Sequence, residues 1–213
     1  MLDYNIAASD GVQGIAQDFL LDDESWIVHY LVAETPSLLG ARKVLIASFS
    51  VGHPDWDTHR LPVRLTSQQI RTAPPLEADM PISQQYECGL KRPGSHLRSF
   101  QELLGYNVYT HDGEAGSIQD LIIEDVLWGV HHVIVALKVH RSVLLRPESV
   151  RSISWPGKAV WLNLSLAEVE SSPVFDPTAP VNHDREHRLY DYHGRLVQAP
   201  PSFQSTDRPE GRS

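Results

Sequence analysis

Residues 9–34 and 111–136 are one segment written twice. At a constant offset of 102, nine positions coincide: Asp10/Asp112, Gly11/Gly113, Gly14/Gly116, Gln17/Gln119, Asp18/Asp120, Asp23/Asp125, Trp26/Trp128, Val28/Val130 and His29/His131. After a three-residue deletion the offset becomes 99, and Val44/Val143, Leu45/Leu144, Ser50/Ser149, Val51/Val150, Trp56/Trp155, Leu65/Leu164 and Pro74/Pro173 follow in order. A duplication constrains the chain more than any composition does, because one pattern must satisfy the same fold twice. It divides the sequence into a unit at 1–75, a proline-rich linker at 76–95, a second unit at 96–173 and a tail at 174–213, with disorder expected beyond about 196.

Each unit reads as short strands ended by one short helix. An Asp-Gly turn (Asp10-Gly11, Asp112-Gly113) precedes a strand at Val12–Leu21 or Ala115–Ile123. Acidic turn residues lead to a second strand, Trp26–Ala33 or Trp128–Leu137, apolar on both faces. Strands follow at Lys43–Ala47 or Ser142–Leu145, and at Leu61–Leu65 or Val160–Leu164. Pro62 has no amide to donate, so its strand is an edge there or starts near it. Thr66 and Ser165 stand where helix N-caps belong. The expected fold class is mainly β: two tandem small antiparallel barrels, each around a private apolar centre and each with a short C-terminal helix.

Composition narrows the function. With 27 acidic and 18 basic residues the net charge is −9, which disfavours binding to phosphate backbones and to anionic membrane surfaces. One cysteine, Cys88, admits no intramolecular disulfide and points to a reducing compartment. No leader pattern opens the sequence and no apolar run approaches about 20 residues, so a cytoplasmic protein without a transmembrane segment is expected.

Gly14, Asp18, Asp23, Trp26, Val28 and Tyr30-Leu31-Val32, followed by Arg42-Lys43-Val44-Leu45-Ile46, form a pattern that resembles the PRC-barrel domain. Leu97-Arg98-Ser99-Phe100, with Leu103-Leu104-Gly105-Tyr106 and Val108, is similar to the family's usual opening segment. The tail motif Leu189-Tyr190-Asp191-Tyr192-His193-Gly194-Arg195 resembles a segment that follows the second barrel in two-barrel members. The family is named after the cytoplasmic barrel of the photosynthetic reaction centre H subunit and includes the C-terminal domain of a ribosome maturation factor. The resemblance implies a protein-interaction or assembly module without a shared catalytic centre. The sequence departs from the H subunit in having no N-terminal membrane helix, and from the maturation factor in having no separate N-terminal RNA-related domain. His29 and His131 stand where many members carry arginine.

His183-Asp184-Arg185-Glu186-His187 matches H-x-x-E-H, which on a helix can set two zinc ligands beside a general base, but no third ligand is obvious and His193 is the nearest candidate. It lies in a polar tail without an apolar helical pattern and reads as solvated. His131 and His132, with His140 nearby, alternate across a strand, so one is expected inward and one exposed, serving no common site. Asp22, Asp23, Glu24, Glu124 and Asp125 lack the spaced ligands and central glycine of a calcium loop and read as solvated turns. The paired tryptophans read as core, and Cys88 as a linker thiol without chemistry. No catalytic, cofactor-binding or metal residue is assigned.

The expectation is a non-enzymatic scaffold without cofactor, acting on an unidentified protein partner. By the resemblance, that partner is linked to assembly of a photosynthetic electron-transfer complex, with a membrane-associated complex and a homo-oligomer both open. The alternatives are a ribosome or RNA-processing accessory that makes no direct nucleic-acid contact, and a metal-binding protein using the tail histidines.

Overall fold

The computed structural model describes residues 1–37, 40–89, 96–124, 126–139, 141–176, 189–190 and 196–197. The protein is mainly β. Strands β1 (Asn5–Ala8), β2 (Gly11–Asp22), β3 (Val28–Ser37), β4 (Gly40–Ala47) and β5 (Arg60–Pro62) form a sheet in the order β4-β3-β2-β1-β5. Helix α1 (Ser67–Arg71) follows, and the connecting segment carries α2 (Ile82–Glu87). Strand β6 (Leu97–Ser99) turns back to pair with β2, and α3 (Phe100–Leu103) leads into the second half. There β7 (Asn107–Tyr109), β8 (Glu114–Glu124), β9 (Val130–Leu137), β10 (Ser142–Leu145), β11 (Val150–Ser154) and β12 (Ala159–Leu162) take the order β10-β9-β8-β7-β12-β11, with α4 (Leu166–Ser171) after them. In the tail, β13 (Leu189–Tyr190) pairs with β8, and β14 (Leu196–Val197) pairs with β13.

The ladders repeat at the sequence's own offsets. Asp18↔Val32 becomes Asp120↔Ile134, and the parallel pair Ile6↔Leu61 becomes Val108↔Val160. The bulges recur at the same places, between Ala16 and Asp18 and between Ile118 and Asp120. Several identities then have physical causes. A side chain at Gly14 or Gly116 would strike the carbonyl of Glu34 or Ala136 across the ladder. Asp10 accepts the Ser67 amide at 2.7 Å and Asp112 the Leu166 amide at 2.8 Å, tying each first hairpin to the start of a helix. Thr66 with Gln69, and Ser165 with Glu168, form reciprocal capping boxes. Arg42 donates to the carbonyls of Arg71 and Ala73, and Arg141 to that of Glu170, so matched guanidiniums hold the far ends of both helices.

Two expectations change. The second strand of each unit starts at Val28 or Val130 rather than at the tryptophan, because Trp26 and Trp128 adopt φ 56° and leave the extended region. The apolar centres are not private: the buried residues of both sheets form one continuous cluster. Phe19 of the first sheet lies 6.0 Å from Phe100 and 5.8 Å from Trp128, ring centroid to centroid, and these rings fuse the two interiors. Among the described residues no ladder closes either sheet. The end strands β10 and β11 of the second sheet are joined by the 3₁₀ turn Pro147–Ser149 instead.

The connecting segment folds onto the outer face of the first sheet. Leu76 and Leu97 bury with Leu20, Val32 and Leu45. The same face of the second sheet carries Ile122, Ile134 and Leu144, packed by Phe175.

Candidate functional site

Three groups of polar side chains stand out. The first is the seam where β6 and α3 meet β2. The bulge after Ala16 turns Asp18 inward to a half-buried position. Its carboxylate accepts from Ser99 Oγ at 2.5 Å, Phe19 N–H at 2.8 Å and Gln101 N–H at 3.2 Å. Burial pushes the carboxyl up from 3.8 to about 6, against the downward pull of those hydrogen bonds. Ser99 Oγ in turn accepts the Glu102 amide, and Glu102 accepts from Ser83 Oγ at 2.7 Å. The cluster latches α2, β6 and α3 to the first sheet, and every group in it has a structural partner.

The second group sits one turn away. Arg98 Nε lies 2.5 Å from Asp23 Oδ2, with 14% and 10% of the two side chains exposed. Arg98 Nη2 also donates to the Ile153 carbonyl of the second sheet at 3.3 Å. His96 Nδ1 stands 3.2 Å from Asp23 Oδ1. Asp23 is therefore not the solvated turn residue expected of it. Its neighbour Asp22 does close the turn, accepting from the amides of Glu24 and Ser25.

The third is the histidine pair. Strict alternation places His131 and His132 on opposite faces, yet their Nδ1 atoms lie 2.8 Å apart. The register slips between Ile122 and Ile123, so Ile122 faces His132 while Ile123 faces Val130, and the extra residue brings both imidazoles to one side. His132 is buried, and desolvation first, then the charges of His131 and Arg146, lower its pKa from 6.5 to about 4. One ring must donate to the other. The first unit has His29 and Tyr30 at this bulge.

Among the described residues no group of three or more His, Cys, Asp or Glu side chains converges as a metal site. His140, Asp125 and the motif residues His183, Glu186, His187 and His193 lie outside the described residues. Cys88 is exposed at the end of α2. Trp26 and Trp128 are buried, as core filling requires, while Trp56 and Trp155 are half-buried. A cavity of about 400 Å³ opens beside the β3–β4 hairpin, lined by Gly14, Ile15, Thr35, Pro36 and Ala41 among others, with Glu34 the one ionisable group among the described residues that line it. A single carboxylate supplies no acid–base pair. No helix among the described residues is long and apolar enough to cross a membrane.

The sequence left the seam unassigned. The available signal was the identity Asp18/Asp120, an acid repeated immediately before the apolar run Phe19–Leu21 or Leu121–Ile123. Exposed apolar side chains form a further pattern. Phe49 is 78% exposed and Leu127 70%, and in the other copy these positions are Glu148 and Ser25. Val126 stands against Glu24, Val12 against Glu114, Ile27 against Gly129 and Trp161 against Pro62. No protein-family model and no curated protein matches this chain.

Proposed function

We propose that the chain is a non-enzymatic protein-interaction module built from two PRC-like units, each a sheet rolled so that its end strands are neighbours in sequence. Support for the rolled form comes from β10 and β11, the outermost strands of one ladder, which a single short turn joins. The observation that carries the interaction reading is the mismatch between copies at the surface. Core positions pair apolar with apolar, such as Leu61 with Val160 and Ile70 with Val169. The exposed apolar residues just named face a polar, glycine or proline counterpart. The fold therefore does not require them, and exposed apolar groups beyond the needs of a fold serve contact with another surface.

By the resemblance, that surface belongs to an assembly of the photosynthetic electron-transfer kind. The test uses the duplication as its control. Leu127→Ser and Phe49→Glu each install the residue that the other copy tolerates at that position. Cross-linking in cells should capture a protein partner with the parent chain and lose it with the exchanged chain, at unchanged melting temperature. Partners retained by both would refute the reading.

A further inference from the structure

We infer that His131 and His132 form a two-coordinate site for a soft monovalent metal ion, Cu(I), held between their Nδ1 atoms. Strict alternation would separate the two rings, and the bulge brings them together. His131 is the extra residue of β9 there, and the two Nδ1 atoms face each other at 2.8 Å, with ring centroids 4.5 Å apart. The first unit shows that the fold does not require this pair. Its equivalent bulge carries His29 and Tyr30, with rings 6.2 Å apart. The inference stands on the histidine geometry and is independent of the interaction reading above.

Three features set the ion. Imidazole nitrogen is a good ligand for copper and for zinc, but zinc takes three or four protein ligands. Among the described residues no third His, Cys, Asp or Glu joins this pair. Cu(I), a closed-shell ion, is stable with two nitrogens in line. Arg146 adds positive charge at His132, and its repulsion is twice as large for a dication as for a monocation. His132 is buried beside its ladder partner Ile122, on the face that carries Ile134 and Leu144. Such a dry setting suits an ion that keeps no water shell, and it holds the ring neutral at pH 7, as a ligand must be. Binding releases no proton. The ring that donates in the present pair moves its hydrogen from Nδ1 to Nε2, and both Nδ1 lone pairs then meet the ion. Metal–imidazole bonds of about 2 Å set the two atoms about 4 Å apart in line. Half-buried His131 supplies that opening of about 1 Å by turning about its side-chain bonds.

The probe is Cu(I) alone, titrated without oxygen and with ascorbate into the full-length chain against a chromophoric Cu(I) chelator. One equivalent should bind, and X-ray absorption should report two nitrogen donors and no sulfur. His132→Tyr installs the residue of the other copy, and His131→Gln removes the second ligand. Each should lower the affinity at least about a hundredfold, more than the loss of an outer partner of a ligand costs. Cys88→Ser and the double variant His183→Ala/His187→Ala should bind as the parent does, and Zn(II) should not displace the ion. Unchanged affinity in His132→Tyr or His131→Gln overturns the site. Affinity lost with Cys88 or with the tail histidines, or sulfur in the spectrum, also overturns it and means an adventitious ion only. Should His132→Tyr fail to fold by circular dichroism, His131→Gln and the parent spectrum decide.

Discussion

Trp26 and Trp128 share one backbone geometry, φ 56° in each, and each lends its carbonyl to the other half of the molecule. Trp128 O accepts the Val28 amide and Trp26 O the Val130 amide, both at 2.8 Å. Left-handed backbone in a bulky residue costs about 1–2 kcal/mol. Two copies tolerate it because the exchange satisfies two buried amides and turns both indoles into the shared interior. The duplicated tryptophan is thus the place where two repeats become one molecule.

A shared interior predicts cooperative unfolding. Calorimetry of the full chain should give a single transition whose calorimetric and van't Hoff enthalpies agree. Two resolved transitions would mean that the contacts of Phe19 with Phe100 and Trp128 do not couple the halves.

The half-buried Asp18 predicts a pH dependence of definite sign. Its folded pKa, about 6, lies above the unfolded 3.8, so the folded state holds the proton more tightly. The contribution is full below about pH 4 and fades as pH rises through 6, amounting to about 3 kcal/mol. Asp18→Asn keeps a neutral group there and should flatten the fall in urea-derived stability between pH 4.5 and 8. Parallel curves for the two proteins would contradict the assignment.

The Asp23–Arg98 pair is nearly dry, so removing one member strands the other charge. Arg98→Leu should cost about 3 kcal/mol in chemical denaturation, and adding Asp23→Leu should recover most of that loss. A double variant as unstable as the single one would show that the ion pair itself, rather than the orphaned acid, sets the cost.

Gly14→Ala and Gly116→Ala should each lose about 2–3 kcal/mol, because a methyl group meets a ladder carbonyl that cannot retreat. Gly113→Ala has open space around it and is the control. Equal melting temperatures for all three would rule out the close crossing of β2 on β3 and of β8 on β9.

The β content, the short capped helices and the correspondence of the two units were legible because each is written in local pattern: alternation, turn glycines, Thr66 and Ser165. Arg42 and Arg141 were equally matched in sequence, but their hold on the helix ends becomes visible only when α1 and α4 fold back. Strands β1, β6, β7 and β11 are not legible in the sequence: the first three are three or four residues long, and the register of β11 slips between Val150 and Ser152, so none shows a sustained period; β5 and β10 are as short, but an apolar counterpart in the other unit marks them.

By itself the sequence determined that the chain holds two similar β-rich units, since a repeated apolar pattern buries itself the same way twice. Only the tertiary structure decided that their interiors merge, that Asp23 and Asp18 face Arg98 and Ser99, and that His131 and His132 meet. The physical reason is common to all three. A bulge or one left-handed residue re-aims side chains without changing hydrophobicity, and pairing across some eighty residues is decided by packing, which no local period encodes.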